Sequence, residues 1–517
     1  MRGSWLLAAV LTPVLVSAAV PADCPDYVQY YRVSHEPLSS GKYKLAYQRP
    51  EERCRTFNSS DVEDTVKRLE GVIKDPDLYR LFQNSYPNTL DTAIKWKGVA
   101  ADNSEEELTF VITGDIDAMW LRDSSNQMQS YLPILKASND RNSTASLYRG
   151  VINLQARYLL TSPYCNSFQA PVESTIPPAK NGAADRDVVF PGYDESKVFE
   201  CKYELDSLAA FLEVSENYYK ATEDLAFFSK FKWTQAIEAI LKVAEDQMTP
   251  TYAPDGAVLP QPYTFVRYTT RATETLANDG IGNPVANGTG LVRSAFRPSD
   301  DSTIYQLFIP ANMMFSAYLS STADIMARLN TSNSGALADR MKSLSKSISN
   351  AIETHGTVNH PDYGQIYAFE VDGYGGQTIM DDANIPSLLS APFNTYQVNP
   401  DTYKNTRALV LGATNPYFMR GPVINAVGGP HQGPGKAWPM ASIVRILTSS
   451  DDNEIIRELR EIVSSTAGLG LIHESINSFN ANDYTRPWFS WANGLFGQMI
   501  LDLEKRKPEL LATSFQD

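Results

Sequence analysis

The sequence predicts an all-α fold, an (α/α)6 barrel: a toroid of six helical hairpins with long inter-helix loops. Three observations lead there. Apolar residues recur at helical spacing in about a dozen segments along the chain. Those segments fall in neighbouring pairs, and the stretches between them hold most of the glycine and proline. Strand-like runs are short, as in Leu108–Ile112 and Gln365–Phe369, and no linker divides the chain. The spacing establishes helices directly; closure into a ring is an expectation about how the pairs pack.

In chain order, Met1–Ala19 reads as a signal peptide. Arg2 is its positive flank, Trp5–Val16 its short apolar run and Val16–Ala19 its small-residue cleavage region. Residues 20–60 form an N-terminal arm rich in Pro and Tyr, and residues 61–517 the barrel domain. Within the latter, Asp61–Asn84 carries Val62, Val66, Leu69, Val72 and Ile73 on one stripe. Ser143–Thr161, Glu204–Ala221 and Leu225–Met248 follow as amphipathic segments. So do Leu337–Ile352 and a segment around Ile455–Val463 behind an Asp451-Asp452 cap. The long irregular stretches Ser162–Phe199 and Thr249–Arg293 are expected to wall in a pocket at one end of the ring.

Composition narrows the function. The chain has 517 residues, of which 43% are hydrophobic and 20% charged, as in ordinary globular proteins. Its net charge of −15 argues against nucleic acid as a partner, since no basic patch could neutralise phosphates. After the leader no run is long enough to span a bilayer, so no membrane anchor is expected. Sequons at Asn58, Asn142, Asn287 and Asn330 agree with secretion or residence in the lumen of the secretory pathway. In that compartment Cys24, Cys54, Cys165 and Cys201 should form two disulfides. Of the three possible pairings, Cys24–Cys54 (stapling the arm) and Cys165–Cys201 (closing the loop between two helices) are favoured. Five scattered histidines and no CxxC argue against a metal site, and no cofactor motif is present.

The chemistry is concentrated in Thr113–Tyr131, TGDIDAMWLRDSSNQMQSY. It reads as a loop that delivers Trp120, Arg122 and Asp123 to the mouth of a helix. A guanidinium fork, a carboxylate and an indole face together suit a sugar ring, although a structural ion pair fits this stretch equally well. Other loops are loaded in the same way. FECKYELDS brings Lys202, Glu204 and Asp206 to a helix start, where they also suit capping. RSAFRPSDDS places Asp300 and Asp301 before a helix that one of them could cap. GGPHQGPGKAW holds His431 on a loop constrained by four glycines and two prolines. GLGLIHESINSFNANDYTRPWFSWAN follows Glu474 with Arg486, Trp488 and Trp491. Glycosidic bond cleavage needs two carboxyl groups, one to protonate the leaving oxygen and one to activate water or attack carbon. Carboxylates are plentiful here, and spacing does not select the pair.

Taken in order, TGDIDAMWLRDS, ECKYELDSL, FRPSDDS, GLIHES and TRPWFSWAN resemble the signature segments of glycoside hydrolase family 125, over roughly Asp61–Glu504. The resemblance is strongest to the fungal branch first described as a meiotically up-regulated protein. It implies a metal-independent, inverting exo-α-1,6-mannosidase that releases mannose from the non-reducing ends of oligosaccharide or mannan; separately, a monomer is expected. It further implies that the general acid is Asp300 or Asp301 and the general base Glu474. Arg122, Asp123, Glu204, Asp206 and His431 would then contact mannose, and the loop readings above add Trp120, Arg486 and Trp488 as candidate contacts. Two other readings remain at this point: a calcium-dependent α-1,2-mannosidase on the same barrel, or a mannan-binding protein without turnover.

Overall fold

In the computed structural model, which describes residues 21–516, the apolar stripes form twelve helices of nine residues or more. The signal-peptide segment lies outside the described residues. The helices are α1 (Ser60–Glu70), α2 (Pro76–Ser85), α3 (Leu121–Gln129), α4 (Thr144–Thr161), α5 (Leu205–Thr222) and α6 (Trp233–Asp246). Then come α7 (Ile309–Arg328), α8 (Ser334–His355), α9 (Pro400–Val410), α10 (Pro439–Leu447), α11 (Asp452–Ser464) and α12 (Ser490–Arg506).

The inner wall of the barrel is traced by packing. Helix α3 lies against α12 and α5, α5 against α7, and α12 against α10. Between α7 and α10 in sequence, the run 380–391 is buried throughout but not helical. The partners stand outside: α4 against α6, α8 against α7, α11 against α10 and α2 against α12. The inner helices α5, α7 and α12 are buried on nearly every side, polar residues such as Asp206, Glu213, Asn312 and Asn493 included. The outer α11 buries one stripe of Ile455, Leu459, Ile462 and Val463.

Several element boundaries differ from the sequence reading. Asp61–Asn84 is two helices, because Gly71 ends α1 and Asp75-Pro76 caps and starts α2. Helix α3 begins at Leu121, so Arg122 and Asp123 belong to its first turn, and it ends before Leu132. Leu225–Met248 splits into a four-residue turn, Leu225–Phe228, and α6. Neither Asp300 nor Asp301 caps a helix, since α7 starts only at Ile309 after Phe308.

Both favoured disulfides are present, Cys24–Cys54 and Cys165–Cys201. The arm is bound to the barrel by more than its staple. Arg49, 3% exposed, forks onto Asp91 at 2.8 Å and Glu63 at 2.6 Å, a bidentate geometry that fixes orientation. The four sequon asparagines are exposed. No helix among the described residues is long and apolar enough to cross a membrane.

Candidate active site

The inner helices share an end. Residues Trp120, Glu204, Phe308, Trp438 and Phe489 stand at the N-termini of α3, α5, α7, α10 and α12, and none of these ends has a side-chain cap. Of the remaining helices, α2, α4, α9 and α11 are capped by Asp75, Ser143, Asn399 and Asp451, whereas α1, α6 and α8 are not. Uncapped N-termini leave backbone N–H groups and the positive end of each dipole toward the barrel mouth, which favours carboxylates there.

Small antiparallel sheets join the loops above that mouth. Met119–Trp120 pairs with Ser167–Phe168, which pairs with Val198–Glu200. Ala437 pairs with Ile476, which brings the His431 loop beside the Glu474 loop. Together they enclose a cavity of about 100 Å3 whose lining includes Trp120, Arg122, Asp123, Asp300, His431 and Glu474. It adjoins a wider cavity of about 550 Å3, with Ile116, Trp120, Asp300 and His431 common to both. Loop 162–199 supplies Ala179, Lys180, Asn181, Ala183 and Phe199 to the wider cavity. The expected contribution of Thr249–Arg293 is absent from both walls. Its strand Thr264–Val266 instead pairs with Val188–Phe190 and braces the first loop.

Asp300 reaches the cavity from a strained position. Its φ of 64° lies in the left-handed region, which is uncommon for residues other than glycine and concentrates at functional sites. Its Oδ1 accepts from Trp120 Nε1 at 3.1 Å and Asn166 Nδ2 at 3.0 Å and lies 3.7 Å from Arg122. Burial pushes this carboxyl up, but Arg122, Lys202, a hydrogen bond with Glu204 and His431 outweigh it and hold it at about 2. That differs from the raised value expected of a general acid. The Asp301 side chain turns away from both cavities. Only 2% exposed, Asp301 meets His431 Nδ1 at 3.2 Å and Arg297 at 3.6 Å. Burial depresses His431, but its bond to Asp301 prevails and raises it above its ordinary value, favouring an imidazolium at the boundary of the two cavities.

Glu474, with a side chain 5% exposed, accepts from Thr485 Oγ1 at 2.6 Å and Gln432 Nε2 at 3.3 Å, and lies 3.5 Å from Arg486. Its neighbour His473 is stacked on Tyr484 and bonded through Nδ1 to the Pro487 carbonyl at 2.7 Å. Burial lowers that imidazole to about 4, so it is neutral and ties the two strands of the loop together.

Arg122 is the hub. Its Nη1 lies 2.6 Å from Glu204 and 3.3 Å from Asp206, its Nη2 3.2 Å from Asp123, and the guanidinium sits over the Trp491 ring. Glu204 and Asp206, expected to touch sugar, are fully buried behind Arg122 and line neither cavity. Replacing Arg122 with Met would strand these carboxyls. We expect the unfolding free energy to fall by about 3–5 kcal/mol, measured by denaturant titration, as when one partner of a buried ion pair is removed.

Trp488 is a second correction. It points away from the cavity and packs edge-on to Tyr31 of the arm, with ring centroids 4.7 Å apart. Gly114, at φ +114°, lies against the same indole; a Cβ there would come within 3.0 Å of it. The indoles that line the cavity are Trp120, Trp438 and Trp491, and the Nε1 groups of the last two have no hydrogen-bond partner. A buried donor without a partner is costly unless a ligand supplies one. Asn384, Ser299 and Phe489 complete this face, and Asn166 supports Asp300 from behind. Trp438 carried a faint signal in the sequence, as the residue before a helix-starting proline. Asn166 carried none beyond its neighbour Cys165.

Comparison with known proteins decides the family. Residues 75–501 match the profile of the metal-independent alpha-mannosidases, GH125. The chain belongs to glycoside hydrolase family 125. It is 46% identical over 491 residues to the Meiotically up-regulated gene 157 protein of Schizosaccharomyces pombe, covering 94% of each chain. A solved Streptococcus pneumoniae metal-independent alpha-mannosidase, in a non-productive complex with alpha-1,6-mannobiose, superposes with a TM-score of 0.75. Its identity is 32%, over 86% of this chain and 98% of that one. Family-125 membership makes this protein an alpha-mannosidase on an (α/α)6 barrel. Among the described residues, no group of three or more His, Cys, Asp or Glu side chains could hold a metal ion.

Proposed function

We propose that this enzyme removes single mannose units from the non-reducing ends of α-1,6-linked mannosides with inversion, Asp300 acting as general acid and Glu474 as general base. The observation that carries this reading is the placement of the two carboxyls. Both line the narrow cavity, but only Asp300 also borders the wider one, at the junction where a glycosidic oxygen would lie between a terminal sugar and the rest of the glycan. Glu474, held by Arg486 and Thr485, takes a proton from water as the water oxygen attacks the anomeric carbon. Asp300 gives its proton to the departing oxygen, and the products are free mannose and a shortened glycan. Trp120, Trp438 and Trp491 offer ring faces to the terminal sugar, the last two also free Nε1–H donors, with Arg122, Asp123 and Asn384 beside its hydroxyls. The α-1,6-mannobiose bound by the pneumococcal relative supports the linkage.

The same reading places residues 61–517 in one catalytic domain, with residues 20–60 as an appended arm. It makes the protein a secreted or lumenal monomer with a cleaved leader and glycans on Asn58, Asn142, Asn287 and Asn330. The exposure of those asparagines and the two disulfides support that compartment. Turnover tests the reading. α-1,6-Mannobiose is expected to be hydrolysed at an unchanged rate in excess chelator, and α-1,2-mannobiose to be a poor substrate. Chelator-sensitive hydrolysis of the 1,2-linked sugar would instead assign the calcium-dependent type. Binding of mannan with no turnover of either would assign a lectin.

A further inference from the structure

One guanidinium serves four carboxyls at the barrel mouth. Arg122 faces Glu204, Asp206, Asp123 and Asp300 at 2.6, 3.3, 3.2 and 3.7 Å. The other cations nearby are already committed. Lys202 bonds to the Asp300 carbonyl at 2.8 Å and lies 3.6 Å from Glu200, His431 is held by Asp301, and Arg486 lies between Glu474 and Asp115. Three of the four carboxyls have side chains no more than 8% exposed. Ionising all of them would bury several uncompensated negative charges, so the cluster retains protons at neutral pH.

Geometry selects where one of those protons sits. Glu204 Oε2 is occupied, accepting from Arg122 at 2.6 Å and from Ser207 Oγ at 3.0 Å. Its Oε1 lies by Asn166 Nδ2, which also donates to Asp300. Glu204 Oε1 and Asp300 Oδ1 thus flank the same amide nitrogen, at 3.3 and 3.0 Å, and both carboxyls face Arg122. Two buried carboxyls crowded onto one amide donor and one guanidinium repel each other when both are ionised, so the pair favours holding one proton between them. Asp300 is surrounded by donors and cations that favour its carboxylate: Trp120 Nε1, Asn166 Nδ2, Arg122 and Lys202. Burial, with Asp300 and Asp206 alongside, drives Glu204 well above the usual carboxyl range despite Arg122. The proton therefore rests on Glu204 Oε1.

We propose that Glu204 stores the proton that Asp300 delivers to the leaving oxygen, acting through Asp300 as a positioning residue without touching substrate. As the glycosidic C–O bond breaks, the Glu204 O–H bond breaks and its proton passes to Asp300, whose new O–H bond breaks in turn as that proton goes to the leaving oxygen, so that Asp300 ends as the carboxylate it began as. Glu204 is left as a carboxylate against Arg122. It regains its proton from solvent after product leaves, balancing the proton that Glu474 took from water. The arrangement reconciles an acid held low in the resting enzyme with a reaction that needs it protonated.

This inference rests on Asp300 being the acid, and the test separates the two. Wild type, Glu204→Gln, Glu204→Asp and Asp300→Asn are assayed on α-1,6-mannobiose, which needs leaving-group protonation, and on dinitrophenyl α-mannoside, which does not. Glu204→Gln is expected to lower kcat on mannobiose by about 100-fold with little change in KM, and to leave the aryl mannoside within about threefold of wild type. Because the amide donates to Asp300 but has no proton to give up, the basic limb of the mannobiose pH profile should move to lower pH. Glu204→Asp, a shorter carboxyl, should show a smaller loss confined to mannobiose, which keeps the test decisive if the glutamine variant does not fold. Equal losses on both substrates, no loss on either, or an unmoved basic limb would overturn the proposal. If Asp300→Asn is itself unselective, the acid assignment fails; if it is selective and both Glu204 variants are not, only the proton store fails.

Discussion

Exchanging Glu474 for glutamine is expected to lower kcat on every mannoside by about 1,000- to 10,000-fold while leaving binding of a mannoside ligand nearly unchanged. The amide keeps the shape of the carboxyl and its contacts with Thr485 and Gln432, so the loop around it has no reason to move. What is lost is the capacity to take a proton from water. In an inverting enzyme water is the nucleophile itself, so activated and poor leaving groups should suffer alike. Calorimetric binding of mannobiose together with steady-state rates checks both halves. A variant that loses binding in step with rate would mark Glu474 as a substrate contact. A variant with near-normal rate would exclude it as the base.

Asp300→Asn should produce the second large effect, with a different signature. We expect kcat on α-1,6-mannobiose to fall by about 1,000-fold and dinitrophenyl α-mannoside to lose less than about tenfold, since a phenolate of low basicity departs unprotonated. Asparagine also tolerates the left-handed backbone at this position better than most residues, so the loop should survive the exchange. Asp301→Asn makes an informative contrast. That side chain meets His431 and Arg297 and lines neither cavity, so its loss should not discriminate between leaving groups. Discrimination by Asp301 but not Asp300 would transfer the acid role.

The helical scaffold was legible because burial imposes a period of 3.6 on every stripe. Where the sequence reading of an element failed, a local signal had competed with that period. The stripe through Asp61–Asn84 continued across Gly71 and Pro76, and the punctuation, not the stripe, set the boundary. Ser124 and Ser125 are residue types that cap helices, yet both hydroxyls bond back to the carbonyl of Leu121 inside α3, and the helix starts after the uncapped Trp120. None of the five inner helices has a side-chain cap, so cap-seeking reasoning finds no signal where the site lies.

The site was legible by residue type and less so by direction. Arg122, Asp123, Asp300, His431, Glu474 and Arg486 do converge on one cavity. Choosing Asp300 over Asp301 required the positive φ that swings the first side chain inward. Among the aromatics of RPWFSW, Trp488 turns outward to the arm while Phe489 and Trp491 face the cavity, a difference of backbone orientation that composition does not encode. Glu204 and Asp206, read as mannose contacts, sit against the Arg122 guanidinium and line neither cavity.

The anomeric form of the first-released mannose tests the central claim most directly. Proton NMR during the first minutes of α-1,6-mannobiose hydrolysis, before mutarotation, distinguishes the two outcomes. Water activated by Glu474 attacks from the face opposite the departing sugar, so β-mannose should appear first and α-mannose only as the anomers equilibrate. Initial accumulation of α-mannose would mean a covalent intermediate and a nucleophilic carboxylate, and would contradict the assignment of Glu474 as general base.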